Sequence, residues 1–145
     1  MIYADTSVLS SLVLNDSNRS RSLELVSQAR RPFAFSELHR LEVENSIALC
    51  VASRRMNERE AGLSHQKVEE LVKGGNWAKL DLRWEQVFAR ALGLSRAHTG
   101  RVKSRSLDIL HVACAMDLGL REFWSFDTKQ RRLAEAVGLK VNPVE

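Results

Sequence analysis

Apolar and polar positions along this chain alternate between a strand-like and a helix-like rhythm. The opening run Ile2-Tyr3-Ala4 is short, apolar and ends on Asp5, which predicts a buried strand. Residues 17–30 carry Leu23, Leu25 and Val26 on one side and predict a helix, stopped by Arg30-Arg31-Pro32. Phe33-Ala34-Phe35 predicts a second strand. Ser36 is a candidate N-cap for a helix to about Arg55, with Leu38, Leu41, Ala48, Leu49 and Ala52 as its apolar face. Glu58 to Lys73 predicts a helix ended by Gly74-Gly75, residues 78–82 a short strand, and Trp84 to about His98 another helix. In the last third, Leu107 to Leu118 predicts a helix closed by Gly119, and residues 121–126 a strand ending on Asp127. Residues 129–137 predict a helix closed by Gly138, and Lys140-Val141-Asn142 an edge strand. The order helix, Gly, Leu, basic residue, strand occurs twice, as Leu118-Gly119-Leu120-Arg121 and Val137-Gly138-Leu139-Lys140. This alternation predicts an α/β fold around a mainly parallel sheet.

Composition changes that picture little. The chain has 145 residues, 44% of them hydrophobic, and no Pro/Gly/Ser linker, so one domain over residues 1–145 is expected. No apolar run is long enough to cross a bilayer, and Met1-Ile2-Tyr3-Ala4-Asp5 has no secretory pattern. The expectation is a cytoplasmic protein with no membrane partner. Cys50 and Cys114 lie among apolar residues outside any paired motif and read as buried thiols. A net charge of +4 permits a polyanionic partner without requiring one.

The acidic residues change it more. Asp5 and Asp127 each end a predicted strand, and in open parallel sheets ligands bind beyond the carboxyl ends of the strands. Asp108 lies in the first turn of an apolar helix, and Glu42 borders the buried face of another. Gathered carboxylates repel one another and call for protons or a cation. Oxygen ligands without a His/Cys set suit Mg²⁺ or Mn²⁺, and such ions serve phosphodiester hydrolysis. Each acid also has a plain structural reading. Asp127 with Gln130 fits an N-cap and capping box, Asp108 fits a helix dipole, Glu42 a solvated helix face, and Asp5 a cap on a turn at Thr6-Ser7. Periodicity alone does not choose Glu42 over Glu37 or Glu44.

Other residues are candidates beside them. Thr6 and Ser7 could donate to a carboxylate or phosphate, or form an ordinary turn. Asn45, one turn from Glu42, could support that carboxylate or make a helix-core contact. The segment from Arg96 to Arg105 reads as a basic loop leading into Asp108, with Arg101, Lys103 and Arg105 as candidate contacts to a phosphate backbone, or as solvated surface. Trp77 and Trp84 could stack bases, whereas Trp124 reads as core. A phosphatase with an aspartyl nucleophile would need an acid two residues after Asp5, where Ser7 stands; Gly-rich phosphate loops and serine-hydrolase elbows are absent.

The same segments resemble PIN-domain ribonucleases of the VapC toxin type. Asp5-Thr6-Ser7-Val8-Leu9 is similar to the family's opening motif, and residues 36–45 to its Glu-bearing helix. Residues 105–113, with Asp108 and His111, resemble its D-x-x-H-x-A segment. Ser125-Phe126-Asp127, then Leu133-Ala134 and Gly138-Leu139, resemble its T-x-D strand end and final helix, with Ser125 where Thr is commoner. The resemblance implies a three-layer α/β/α sandwich and a Mg²⁺- or Mn²⁺-dependent endoribonuclease whose ligands are Asp5, Glu42, Asp108 and Asp127. It also implies an RNA substrate, tRNA being one option, a homodimer, and a small cognate antitoxin. His111 is read as a packed helix residue rather than a ligand. The rival readings are a PIN nuclease of RNA processing and a catalytically silent RNA-binding module.

Overall fold

The computed structural model describes residues 1–143. Its elements run β1 (Tyr3–Ala4), α1 (Thr6–Val13), α2 (Arg19–Ala29), β2 (Phe33–Phe35), α3 (Glu37–Ala52), α4 (Glu58–Lys73), β3 (Trp77–Lys79), α5 (Trp84–Val102), α6 (Ser106–Asp117), β4 (Glu122–Trp124), α7 (Thr128–Ala136) and β5 (Lys140–Asn142). The contacts divide into two compact units: residues 1–5 with the chain from Asp81 onward, and Thr6–Leu80. Every strand pair is parallel, as the α/β expectation requires. Among the described residues no helix is long and apolar enough to cross a membrane.

In the first unit the strand order is β1-β4-β5, with β5 at the edge as expected. Tyr3 pairs with Phe123 and Ala4 with Trp124. Their side chains fill the core: Tyr3 stacks on Phe123 at 5.5 Å between ring centroids, and both are fully buried. Helix α6 is apolar nearly all round, burying Ile109 through Ala115 between α5 and α7. The two predicted helix-to-strand connections have the same geometry. Gly119 (φ 66°) and Gly138 (φ 85°) take the left-handed conformation that a side chain disfavours. The following leucine amides then bond back, Leu120 to Ala115 and Leu139 to Ala134, each at 3.0 Å.

The second unit pairs β2 with β3, Phe33 opposite Trp77 and Phe35 opposite Lys79. Helix α1 packs on α2, α3 and α4. It occupies a stretch for which an ordinary turn at Thr6-Ser7 is one reading of the sequence. Val8, Leu9, Leu12 and Val13 are spaced for one helix face, and all are buried. The strand after α4 starts at Trp77 rather than residue 78, which makes Trp77 a core residue, 1% exposed and stacked on Phe35, and removes it as a base-stacking candidate. The buried face of α3 is not the expected one. Leu38, His39, Val43, Ile47 and Cys50 point inward, while Leu41 and Leu49 are 67% and 55% exposed. Two apolar stripes compete on that helix, and His39 joins the inner one because its Nδ1 accepts from the Ser36 amide at 3.1 Å and faces the Ser36 hydroxyl at 2.9 Å. On α2, similarly, Leu23 is exposed and Ser22 takes the buried place. Both cysteines are buried and neither is in a disulfide.

Candidate active site

Parallel pairing decides what meets at the carboxyl edge of β1 and β4. Ala4 lies opposite Trp124, so the next residues, Asp5 and Ser125, leave the sheet side by side. The Asp5 amide still bonds to the Trp124 carbonyl at 2.8 Å, and the Ser125 amide to Asn142 at 3.0 Å, so both positions are held by main chain. Asp5 is 6% exposed and Ser125 fully buried. Ser125 Oγ donates to Asp5 Oδ2 at 3.1 Å and accepts from the Asp127 amide at 2.9 Å. One hydroxyl therefore links the aspartate of β1 to the turn that carries Asp127.

Strand β4 ends at Trp124, three residues before Asp127, so Asp127 is not the strand's final residue. It is the N-cap of α7, with Oδ1 accepting from the Gln130 amide at 2.8 Å. The proposed capping-box return by Gln130 does not form: the Asp127 amide is taken by Ser125, and Gln130 Nε2 reaches the Asp108 carbonyl at 3.3 Å instead. Asp108 stands in the first turn of α6, and its Oδ2 accepts from the Arg105 amide at 2.9 Å. Asp108 and Asp127 thus each commit one oxygen to a helix start, and the other oxygen has no protein partner among the described residues.

In the second unit, Thr6 opens α1 and its Oγ1 donates to Glu42 Oε2 at 2.6 Å. That contact separates Glu42 from its neighbours on α3. Glu37 faces Lys79 at 3.5 Å, and Glu44 faces His65 at 2.7 Å and Arg40 at 3.9 Å. Ser7 is half-buried within α1, and Asn45 is exposed, which leaves no helix-core contact for it.

The basic segment is mostly helix. Helix α5 runs on to Val102, past the expected end near His98, so Arg96 to Arg101 are helical and only residues 103–105 connect to α6. Arg101, Lys103 and Arg105 are all exposed. Lys103 closes α5 with φ 57°, and Ser104 Oγ reaches the Lys129 carbonyl at 3.5 Å. Trp84 is half-exposed against Phe88, and Trp124 is core, as its apolar surroundings imply.

Sequence patterns alone missed several buried polar residues around this edge. Arg131 is 8% exposed, and its Nη1 donates to the Ser125 carbonyl at 3.0 Å. His111 is 3% exposed with Nδ1 at 2.8 Å from the Tyr3 hydroxyl, in keeping with a packed role. Gln130 is 1% exposed. A polar residue facing inward on α7, one turn from apolar Leu133 and Ala134, was the available signal.

The donor atoms are carboxylate and hydroxyl oxygens, which suits a hard divalent cation in kind. Among the described residues no three His, Cys, Asp or Glu side chains are grouped closely enough to hold an ion by themselves.

Comparison with known proteins places this geometry. No curated protein matches the sequence. The solved structure of FitAcB from Neisseria gonorrhoeae superposes with a TM-score of 0.67 at 20% identity, covering 97% of this chain and 96% of that one. VapC20 of Mycobacterium tuberculosis, described as a sarcin-ricin loop cleaving toxin, gives 0.69 at 17%, covering 99% and 100%. VapBC2 from Rickettsia felis, bound to a DNA fragment from its promoter, gives 0.66 at 13% over the full length of both chains. A family model described as the PIN domain matches residues 2–136, so this chain belongs to the PIN-domain family.

Proposed function

We propose that this protein is a Mg²⁺- or Mn²⁺-dependent endoribonuclease, the toxin of a toxin–antitoxin pair, with Asp5, Glu42, Asp108 and Asp127 holding the cation. The observation that carries the reading is the edge of β1 and β4 in a PIN-family chain, where Ser125 joins buried Asp5 to the Asp127 turn. Asp5 is a buried carboxylate, 6% exposed, and sits at the sheet edge where open sheets bind ligands. Asp108 and Asp127 each retain an oxygen for a cation. Glu42, in the other unit, is held by the Thr6 hydroxyl, and its part in the cation site rests on the family resemblance.

When bound, the cation supplies positive charge to the scissile phosphate and lowers the pKa of the attacking water. The protein's own part is orientation. Ser125 and Thr6 fix Asp5 and Glu42 by hydroxyl donors, and the helix starts of α6 and α7 fix Asp108 and Asp127. Arg101, Lys103 and Arg105 would track the RNA backbone. Two solved structures of the same fold support the toxin assignment and an antitoxin partner, one described as a sarcin-ricin loop cleaving toxin and one as a VapBC complex bound to promoter DNA; the homodimer rests on the family resemblance alone. The helix-capping roles of Asp108 and Asp127 favour one rival, a silent RNA-binding module.

Cleavage of total RNA by the purified protein separates the two. Wild type should cut with Mg²⁺ or Mn²⁺ and stop with chelator, and Asp5→Asn or Asp108→Asn should bind RNA without cutting it while keeping wild-type circular dichroism. Either variant cutting at the wild-type rate would overturn the metal-site reading. A wild type that binds RNA and never cuts it would favour the silent module.

A further inference from the structure

We propose that Gln130 is a positioning residue for the cation site, acting through the starts of α6 and α7. The inference rests on the reading just given. Gln130 occupies the third position of α7, and its backbone amide holds Asp127 Oδ1 at 2.8 Å. Its side chain turns inward, and Nε2 donates to the Asp108 carbonyl at 3.3 Å. The amide orientation is forced, because a carbonyl accepts only from the nitrogen end. One residue therefore grips both acid-bearing turns, Asp127 by main chain and Asp108 by side chain.

The other end of the amide is informative. Gln130 is 1% exposed, and its Oε1 has no hydrogen-bond partner among the described residues. Leaving a buried acceptor unsatisfied is unfavourable, and an apolar residue would pack this inward face of α7 without that cost. Leu133 and Ala134 do so one turn on, both fully buried. A glutamine here is explained by the bridge it makes to Asp108. Groups that orient metal-binding side chains from behind typically alter metal affinity about 10–100-fold when removed.

The test is Mn²⁺ binding by calorimetry, alongside cleavage measured across a Mn²⁺ titration. Gln130→Met keeps length and burial but removes the donor. It should raise the Mn²⁺ dissociation constant about tenfold or more, with cleavage largely recovered at saturating Mn²⁺. Leu133→Ala, a core change on the same helix, should lower Tm yet leave Mn²⁺ affinity at the wild-type value. Should Gln130→Met fail to fold, Gln130→Leu carries the same expectation, since it too removes the donor and adds no charge. A Gln130→Met protein with lower Tm and unchanged Mn²⁺ affinity would show a purely structural role and overturn the proposal. Failure of the wild type itself to bind Mn²⁺ would instead overturn the four-acid reading beneath it.

Discussion

Ser125 Oγ and Asp5 Oδ2 stand 3.1 Å apart, joining positions separated by 120 residues of chain. The contact is a consequence of register: β1 and β4 are parallel and adjacent, and each residue lies one step past its strand. Because both are buried, removing the hydroxyl takes a buried hydrogen bond away from the carboxylate. Ser125→Ala should lower unfolding free energy by about 1–3 kcal/mol, read from urea midpoints at constant m-value. Ser125→Thr, which retains the hydroxyl, should restore most of it. An unchanged midpoint for Ser125→Ala would show that this bond does not hold Asp5.

The sheet that frames this pair was legible in the sequence, and the reasons are physical. β1 and β2 are short apolar runs bounded by clear punctuation, and β4 and β5 follow turns marked by Gly119 and Gly138, which need a positive φ. What escaped was whatever tertiary packing chooses between local options. Asp127 reads as a strand end because Phe126 prolongs the apolar run, yet the ladder stops at Trp124 and α7 takes Asp127 as its cap. Helix α1 was lost because Thr6-Ser7 suit a turn as well as a first helical turn. The site acids could be named from position and resemblance. Gln130 and Arg131 could not, since their roles depend on where α7 lies against α6 and β4.

Thr6 Oγ1 donates to Glu42 Oε2 at 2.6 Å, the short separation expected for a hydroxyl on a charged acceptor. If Glu42 serves the cation, this bond sets its carboxylate. Thr6→Val preserves shape and removes the donor, and should reduce RNA cleavage about 10-fold at limiting Mg²⁺. Thr6→Ser should recover most of the rate. Equal cleavage by Thr6→Val and wild type across a Mg²⁺ titration would remove Thr6 from the site.

The surface pair of Arg40 and Glu69 gives a pH-dependent expectation. Arg40 Nη1 lies 2.8 Å from Glu69 Oε1, and the hydrogen bond with the guanidinium, then its charge, holds the Glu69 carboxyl below its ordinary value. A depressed folded-state pKa means that the folded state prefers the ionised form. The contribution is therefore present above the unfolded pKa and disappears as pH falls through the lowered folded value. Wild type and Glu69→Gln should differ slightly in Tm at neutral pH and converge in acid. The pair is solvent-exposed, so the difference is small. A gap that widens on acidification would contradict the assignment.

Helix α3 offers the sharpest contrast between its two apolar stripes. Ile47 is fully buried, whereas Leu41 and Leu49 are exposed on the same helix. Truncating a buried aliphatic side chain costs its transfer energy and leaves a cavity, so Ile47→Ala should destabilise by about 2–5 kcal/mol. Leu41→Lys and Leu49→Lys should each shift stability by less than about 0.5 kcal/mol. The sequence reading that placed Leu41 and Leu49 in the core makes the opposite prediction, since a lysine there would lose burial and strand a charge. Denaturant curves for the three variants decide between the two faces. A loss of several kcal/mol in either lysine variant at concentrations that keep the chain monomeric would mean that α3 packs through the leucine stripe, and that the inward placement of His39, Val43 and Ile47 is wrong.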